Sequence, residues 1–164
     1  MDLLVKSNHL FVKDKKLRCA IGSNGLTHNK KEGDMSTPMG TFQFNKIFYR
    51  ADRLGVINFT IDSSIIQKND GWCDALKSKF YNQHIRFPFN DSAEHLFRDD
   101  HIYDIVCVLS YNTFPIIPGK GSAIFLHIAK PNFTGTRGCV AIEKNALIDI
   151  ASNLTKNSKI VIKD

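Results

Sequence analysis

Residues 125–142 read FLHIAKPNFTGTRGCVAI. An apolar run carrying His127 gives way to a loop holding Pro131, Gly135 and Gly138, and Cys139 then opens a second apolar run. Short apolar runs bounded by Gly and Pro predict strands, here Ala123–Ile128 and Cys139–Ile142. The spacing is 139 − 127 = 12 residues. A strand, a loop and an adjacent strand of that total length can bring an imidazole and a thiol onto one sheet face.

The same signals recur on both sides. His9–Val12 and Leu17–Ile21 flank the polar turn Lys13–Lys16 and predict a hairpin. Thr41–Phe44, Lys46–Tyr49, Val56–Ile61, Tyr103–Leu109 and Lys159–Ile162 predict further strands. Ala146, Leu147, Ile150, Ala151 and Leu154 recur at helical spacing and predict one helix from about Glu143 to Asn153. A second helix is expected over Asn90–Arg98, with Asp91 or Ser92 as its cap. Asp62–Asn90 predicts a loop-rich middle. The expected fold is mainly β with short helices, a β-sandwich or partial barrel, in one domain spanning 1–164.

The 164 residues are 43% hydrophobic and 23% charged, a balance that excludes disorder as the main state. No apolar run approaches the roughly 18 residues of a membrane span, so no membrane partner is expected. Lys and Arg number 22 against 16 Asp and Glu, a net +6, which favours anionic partners. The basic residues are scattered, and no nucleic-acid-binding signature accompanies them. Cys19, Cys73, Cys107 and Cys139 form no C-x-x-C pair, so no metal or other cofactor is expected. Asp2 and Lys6 break the layout of a secretory leader. Free thiols and a cytoplasmic location follow as expectations, with a periplasmic one if a leader was removed.

A thiolate is the attacking form of cysteine, and a neighbouring imidazole can take the proton and stabilise the charge. Gly138 removes side-chain bulk beside Cys139, and the Gly138 and Cys139 N–H groups could face a developing oxyanion. Arg137 adds positive charge. Taken alone, a strand histidine and a strand-opening cysteine read equally as core residues. Thr37-Pro38-Met39-Gly40-Thr41-Phe42 similarly reads as a turn entering a strand.

Together, T-P-x-G-T-F early and His127 with Thr136-Arg137-Gly138-Cys139 late resemble the catalytic domain of the L,D-transpeptidase (YkuD-type) family. The likeness is to a compact subgroup, through Lys31-Glu32-Gly33-Asp34, Phe48-Tyr49-Arg50-Ala51-Asp52-Arg53, Asp70-Gly71-Trp72-Cys73-Asp74, Tyr81-Asn82, Ser92-Ala93-Glu94, Tyr103-Asp104, Gly119–His127 and Gly138-Cys139-Val140-Ala141. The resemblance implies a cysteine acyl-transfer enzyme acting on peptidoglycan stem tetrapeptides. Cys139 would hold the stem as a thioester after displacing D-alanine from diaminopimelate, with His127 as base and Gly138 in the oxyanion hole. Water as acceptor makes an L,D-carboxypeptidase acting on muropeptides; an amine acceptor makes a cross-linking transpeptidase. A non-enzymatic basic β-domain binding glycan or nucleic acid is the alternative of another class. The substrate's carboxylates call for cations, with Arg50, Arg53 and Arg137 as candidates. Thr136, Trp72, Asp74, Tyr81 and Asn82 are the expected cleft residues, Asp74 as a partner for the diaminopimelate ammonium. Two features depart from the family pattern: Ala141 stands where many members carry Arg, and the His–Cys gap is shorter than usual; Arg137, where His is frequent, is a candidate for part of the anion-binding role.

Overall fold

The computed structural model describes residues 1–164. Fourteen strands and two helices follow one another in the order β1 (Asp2–Lys6), β2 (His9–Val12), β3 (Lys15–Ala20), β4 (Leu26–Thr27), β5 (Thr37–Pro38), β6 (Gly40–Tyr49), α1 (Ala51–Leu54), β7 (Ser63–Ile65), β8 (Asp70–Cys73), β9 (His84–Arg86), β10 (Ala93–His95), β11 (Ile105–Leu109), β12 (Phe125–Ile128), β13 (Val140–Ile142), α2 (Lys144–Asn153) and β14 (Lys159–Lys163). The fold is mainly β and forms a partial barrel. Its main sheet runs β11-β12-β13-β3-β2-β1-β14-β6-β7. Strand β6 closes it by changing partners along its length. Gly40–Gln43 pair with β14, and Phe44–Tyr49 pair with β11 on the other edge.

Period-two alternation then sorts the side chains into two cores. Leu3, Leu10, Phe44, Ile47, Cys107, Leu126, Val140 and Ile160 belong to a 23-residue core that also takes Leu147, Ile150 and Ala151 of α2. Glu143 caps that helix, its carboxylate accepting the Asn145 and Ala146 N–H groups, each at 3.0 Å. The opposite faces of β6, β11 and β12 carry Phe48, Val106, Val108 and Phe125. These join Trp72 and Leu96, from the small β10-β8-β9 sheet and its flank, in a second core of ten residues. Strands β11, β12 and β13 are therefore buried along their whole length.

Two expectations are corrected. Asn90–Arg98 is not helical: Ala93–His95 pair antiparallel with Gly71–Cys73, and this pairing overrides the local capping signal. Val56–Ile61 forms no strand; Ser63–Ile65 pairs with that edge of β6 instead. The middle is loop-rich, as expected, and also supplies the short strands β7, β8 and β9. Strand β1, which no sequence signal singled out, pairs antiparallel with its neighbour β2 and parallel with β14 at the far end of the chain. No helix is long and apolar enough to cross a membrane.

Candidate active site

Strands β12 and β13 run parallel, with His127 opposite Ala141 and Leu126 opposite Val140. Cys139 lies two residues before Ala141, so it shares Ala141's face and stands diagonal to His127. Leu126, Ile128, Val140 and Ile142 point to the barrel core. His127, Cys139 and Ala141 line a cleft of about 760 Å³ on the other side. The alternation that builds the core thus turns imidazole and thiol into the same cleft.

Both groups are desolvated. Cys139 is 7% exposed and His127 6%. Burial pushes the Cys139 thiol up to about 12 and lowers His127 to about 4, so the pair is neutral at rest. The thiol donates to the Ala123 carbonyl at 3.1 Å, and the Phe125 N–H donates to the sulfur at 3.4 Å. His127 Nδ1 lies 2.9 Å from the Ile128 carbonyl oxygen. An oxygen there accepts only from N–H, so Nδ1 carries the proton and Nε2 is the basic nitrogen. A carbonyl therefore orients the ring, with the Tyr103 ring edge-on to it at 5.2 Å.

The turn before Cys139 is tightly braced. Thr136 Oγ1 donates to the Cys139 carbonyl at 2.7 Å and accepts the Gly138 N–H at 3.1 Å. Thr37, from the T-P-x-G-T-F segment, donates to the same carbonyl at 3.3 Å and accepts the Gly22 N–H at 2.8 Å. The two distant motifs meet at one peptide group. Gly138 has φ +139°, and a Cβ there would lie 2.9 Å from the Ser36 carbonyl oxygen. Only glycine fits, but its N–H is already bonded to Thr136, which leaves Cys139 as the remaining one of the two expected oxyanion donors.

Thr136, Arg137 and Asp74 line the cleft. The other expected binding residues do not. Arg50 grips Asp52 through two bonds of 2.8 and 2.7 Å and stacks on Phe97. Arg53 is held by Asp104 at 2.6 Å and by the carbonyls of Asp99 and Asp100. Both guanidiniums stabilise structure away from the thiol. Trp72 Nε1 donates to Asn82 Oδ1 at 2.9 Å, and the same oxygen accepts the Ala123 N–H at 3.0 Å. Tyr81 donates to Glu32 at 2.5 Å and accepts the Gly121 N–H at 3.0 Å. Trp72, Tyr81 and Asn82 therefore brace the segment that carries the thiol's acceptor, Ala123. Ala123 itself sits at φ +52°, a strained geometry for a residue with a Cβ.

The walls that the sequence did not reveal come from far along the chain. Lys30 is buried, donating to the Lys31 carbonyl at 2.9 Å and pairing with Asp34. Glu94, Arg98, Tyr103 and Lys130 complete the far side. Of these, Lys30, Arg98 and Lys130 lie outside every sequence landmark, whereas Glu94 and Tyr103 belong to the landmarks Ser92-Ala93-Glu94 and Tyr103-Asp104 of the family resemblance. All four cysteines are unpaired, and no three or more His, Cys, Asp or Glu side chains are grouped to hold a metal ion.

No curated protein matches the chain. The family model of the L,D-transpeptidase catalytic domain (YkuD) matches residues 3–162, almost the whole of the fold. This chain belongs to the L,D-transpeptidase catalytic domain family, whose members are cysteine acyltransferases acting on peptidoglycan.

Proposed function

We propose that the protein is an L,D-carboxypeptidase that removes D-alanine from peptidoglycan stem tetrapeptides, with Cys139 as nucleophile and His127 as general base. The observation that supports water over an amine as acceptor is the depth of the thiol. At 7% exposure beside a buried imidazole, the thioester is reached by water more easily than by a second stem peptide.

The chemistry starts from neutral partners. His127 Nε2 takes the thiol proton as sulfur attacks the diaminopimelate carbonyl, so charge develops only when substrate is in place. The Cys139 N–H is the donor for the oxyanion. The imidazolium returns its proton to the departing D-alanine nitrogen, leaving a thioester. His127 then deprotonates water, which attacks the thioester and frees a tripeptide, and the proton returns to sulfur. Exposed Arg137, which has no carboxylate partner within the chain, supplies charge for a substrate carboxylate. Water as acceptor does not require a polymeric substrate, which suits soluble muropeptides undergoing recycling in the cytoplasm.

The test is mass spectrometry after incubation with a disaccharide tetrapeptide. The expected products are free D-alanine and the tripeptide. Cross-linked dimers without hydrolysis would replace this reading with that of a transpeptidase. Fractionation of cells carrying the tagged full-length gene tests the location.

A further inference from the structure

The cleft over Cys139 holds two carboxylates from separate stretches of chain. Glu94 lies in the middle of β10, and Asp74 directly follows β8. Neither reaches a cation of the protein within 4.0 Å. Glu94 Oε1 accepts one bond, from the Tyr103 hydroxyl at 2.7 Å, and Oε2 has no protein partner. Asp74 accepts only the Ser92 hydroxyl, at 2.6 Å. Burial raises the proton affinity of Glu94, and the like charge of Asp74 adds to the effect. The chain has 22 basic side chains for 16 acidic ones, yet the cations that act on this carboxylate, Arg98 and Arg137, do so from beyond ion-pair distance. A cationic ligand donating to Glu94 Oε2 would supply the close partner that the chain does not. The same cleft carries Arg137 and Lys130, also without carboxylate partners. Unpaired groups of both signs around one nucleophile match a zwitterionic side chain.

We infer that Glu94, assisted by Asp74, receives the side-chain ammonium of the residue whose carbonyl Cys139 attacks, while Arg137 takes the adjoining carboxylate. The inference rests on the acyl-transfer reading above and names which residues read the substrate. Asp74 alone was legible as an ammonium partner in the sequence; Glu94, fixed by Tyr103, whose ring lies against the His127 imidazole, bears the main role.

Three tetrapeptides separate the two charges without added bulk. They carry diaminopimelate, lysine (ammonium only) or norleucine (neither) at the third position. Wild type is expected to lose kcat/KM at both steps, with lysine to norleucine costing about 10- to 100-fold, the range for a charged hydrogen-bonded contact. Glu94→Gln keeps the Tyr103 contact and is expected to abolish the lysine-to-norleucine step while retaining the diaminopimelate-to-lysine step. Arg137→Gln is expected to do the reverse. Full discrimination between lysine and norleucine by Glu94→Gln would overturn the assignment. Binding of the same peptides to Cys139→Ala, with and without Glu94→Gln, reads the subsite apart from turnover. A lysine preference there that vanishes with Glu94→Gln upholds the subsite. That holds even if wild type releases no D-alanine, a result that would sink only the carboxypeptidase reading. No lysine preference there, with D-alanine released by wild type, overturns the subsite alone.

Discussion

Two parallel ladders join this barrel, and they are used differently. Strands β1 and β14 pair over five positions from Asp2–Lys159 to Lys6–Lys163. Each alternates buried core residues with positions open to solvent. Strands β12 and β13 pair over three positions and are buried on both faces. A ladder with one wet face holds the barrel shut. A ladder covered on both faces can place polar groups where water does not level their proton affinities, and there His127 and Cys139 are found.

Substitutions can break this contrast. The largest effect is expected from Cys139→Ala, which removes the nucleophile and lowers D-alanine release by about 10⁴- to 10⁶-fold with an unchanged urea midpoint. Residual turnover near the wild-type rate would move the chemistry elsewhere. In the terminal ladder the pattern should invert. Leu3→Ala, at a site 1% exposed, should cost about 2–5 kcal/mol in urea unfolding while activity per folded molecule is kept.

A pH titration sharpens the contrast. Burial holds His127 at about 4, below the ordinary 6.5. The native state prefers neutral imidazole, so this contribution to stability is complete above pH 6.5 and is lost as pH falls through 4. The difference corresponds to about 3 kcal/mol. Urea midpoints between pH 7 and pH 4 should fall more steeply for wild type than for His127→Gln; parallel curves would show that the imidazole is not desolvated. Turnover should keep its acid limb near pH 4. The smallest effect is expected from Thr136→Val, which removes the bonds to the Cys139 carbonyl and the Gly138 N–H. It should lower kcat by about 5- to 30-fold, the value of one or two hydrogen bonds, with KM little changed.

Legibility in the sequence followed the range of the interactions. Hairpin β2–β3, helix α2 and strands β11 to β13 are set by local periodicity, and the sequence predicts them to within a few residues. Strand β10 exists because of its partner β8 earlier in the chain, against a local signal in which Ser92 looked like a helix cap, and β1 joins a hairpin with β2 to a distant partner, β14. Within the site, His127 and Cys139 were legible because alternation on neighbouring strands is a local rule. Arg50, Arg53, Trp72, Tyr81 and Asn82 were legible as polar or aromatic side chains near the motifs. Where their tips point depends on Asp52, Asp104 and the Gly121–Ala123 backbone, which no spacing reveals. Glu94 and Tyr103 meet only through the packing of the small sheet on the barrel.

The hydrogen bond from Cys139 to Ala123 has a consequence for the lifetime of the protein. Peroxides and electrophiles attack thiolates and leave sulfhydryls largely alone. A sulfur kept protonated beneath the surface is shielded from oxidative damage between catalytic cycles and becomes vulnerable only in the brief interval when a peptide is being cut.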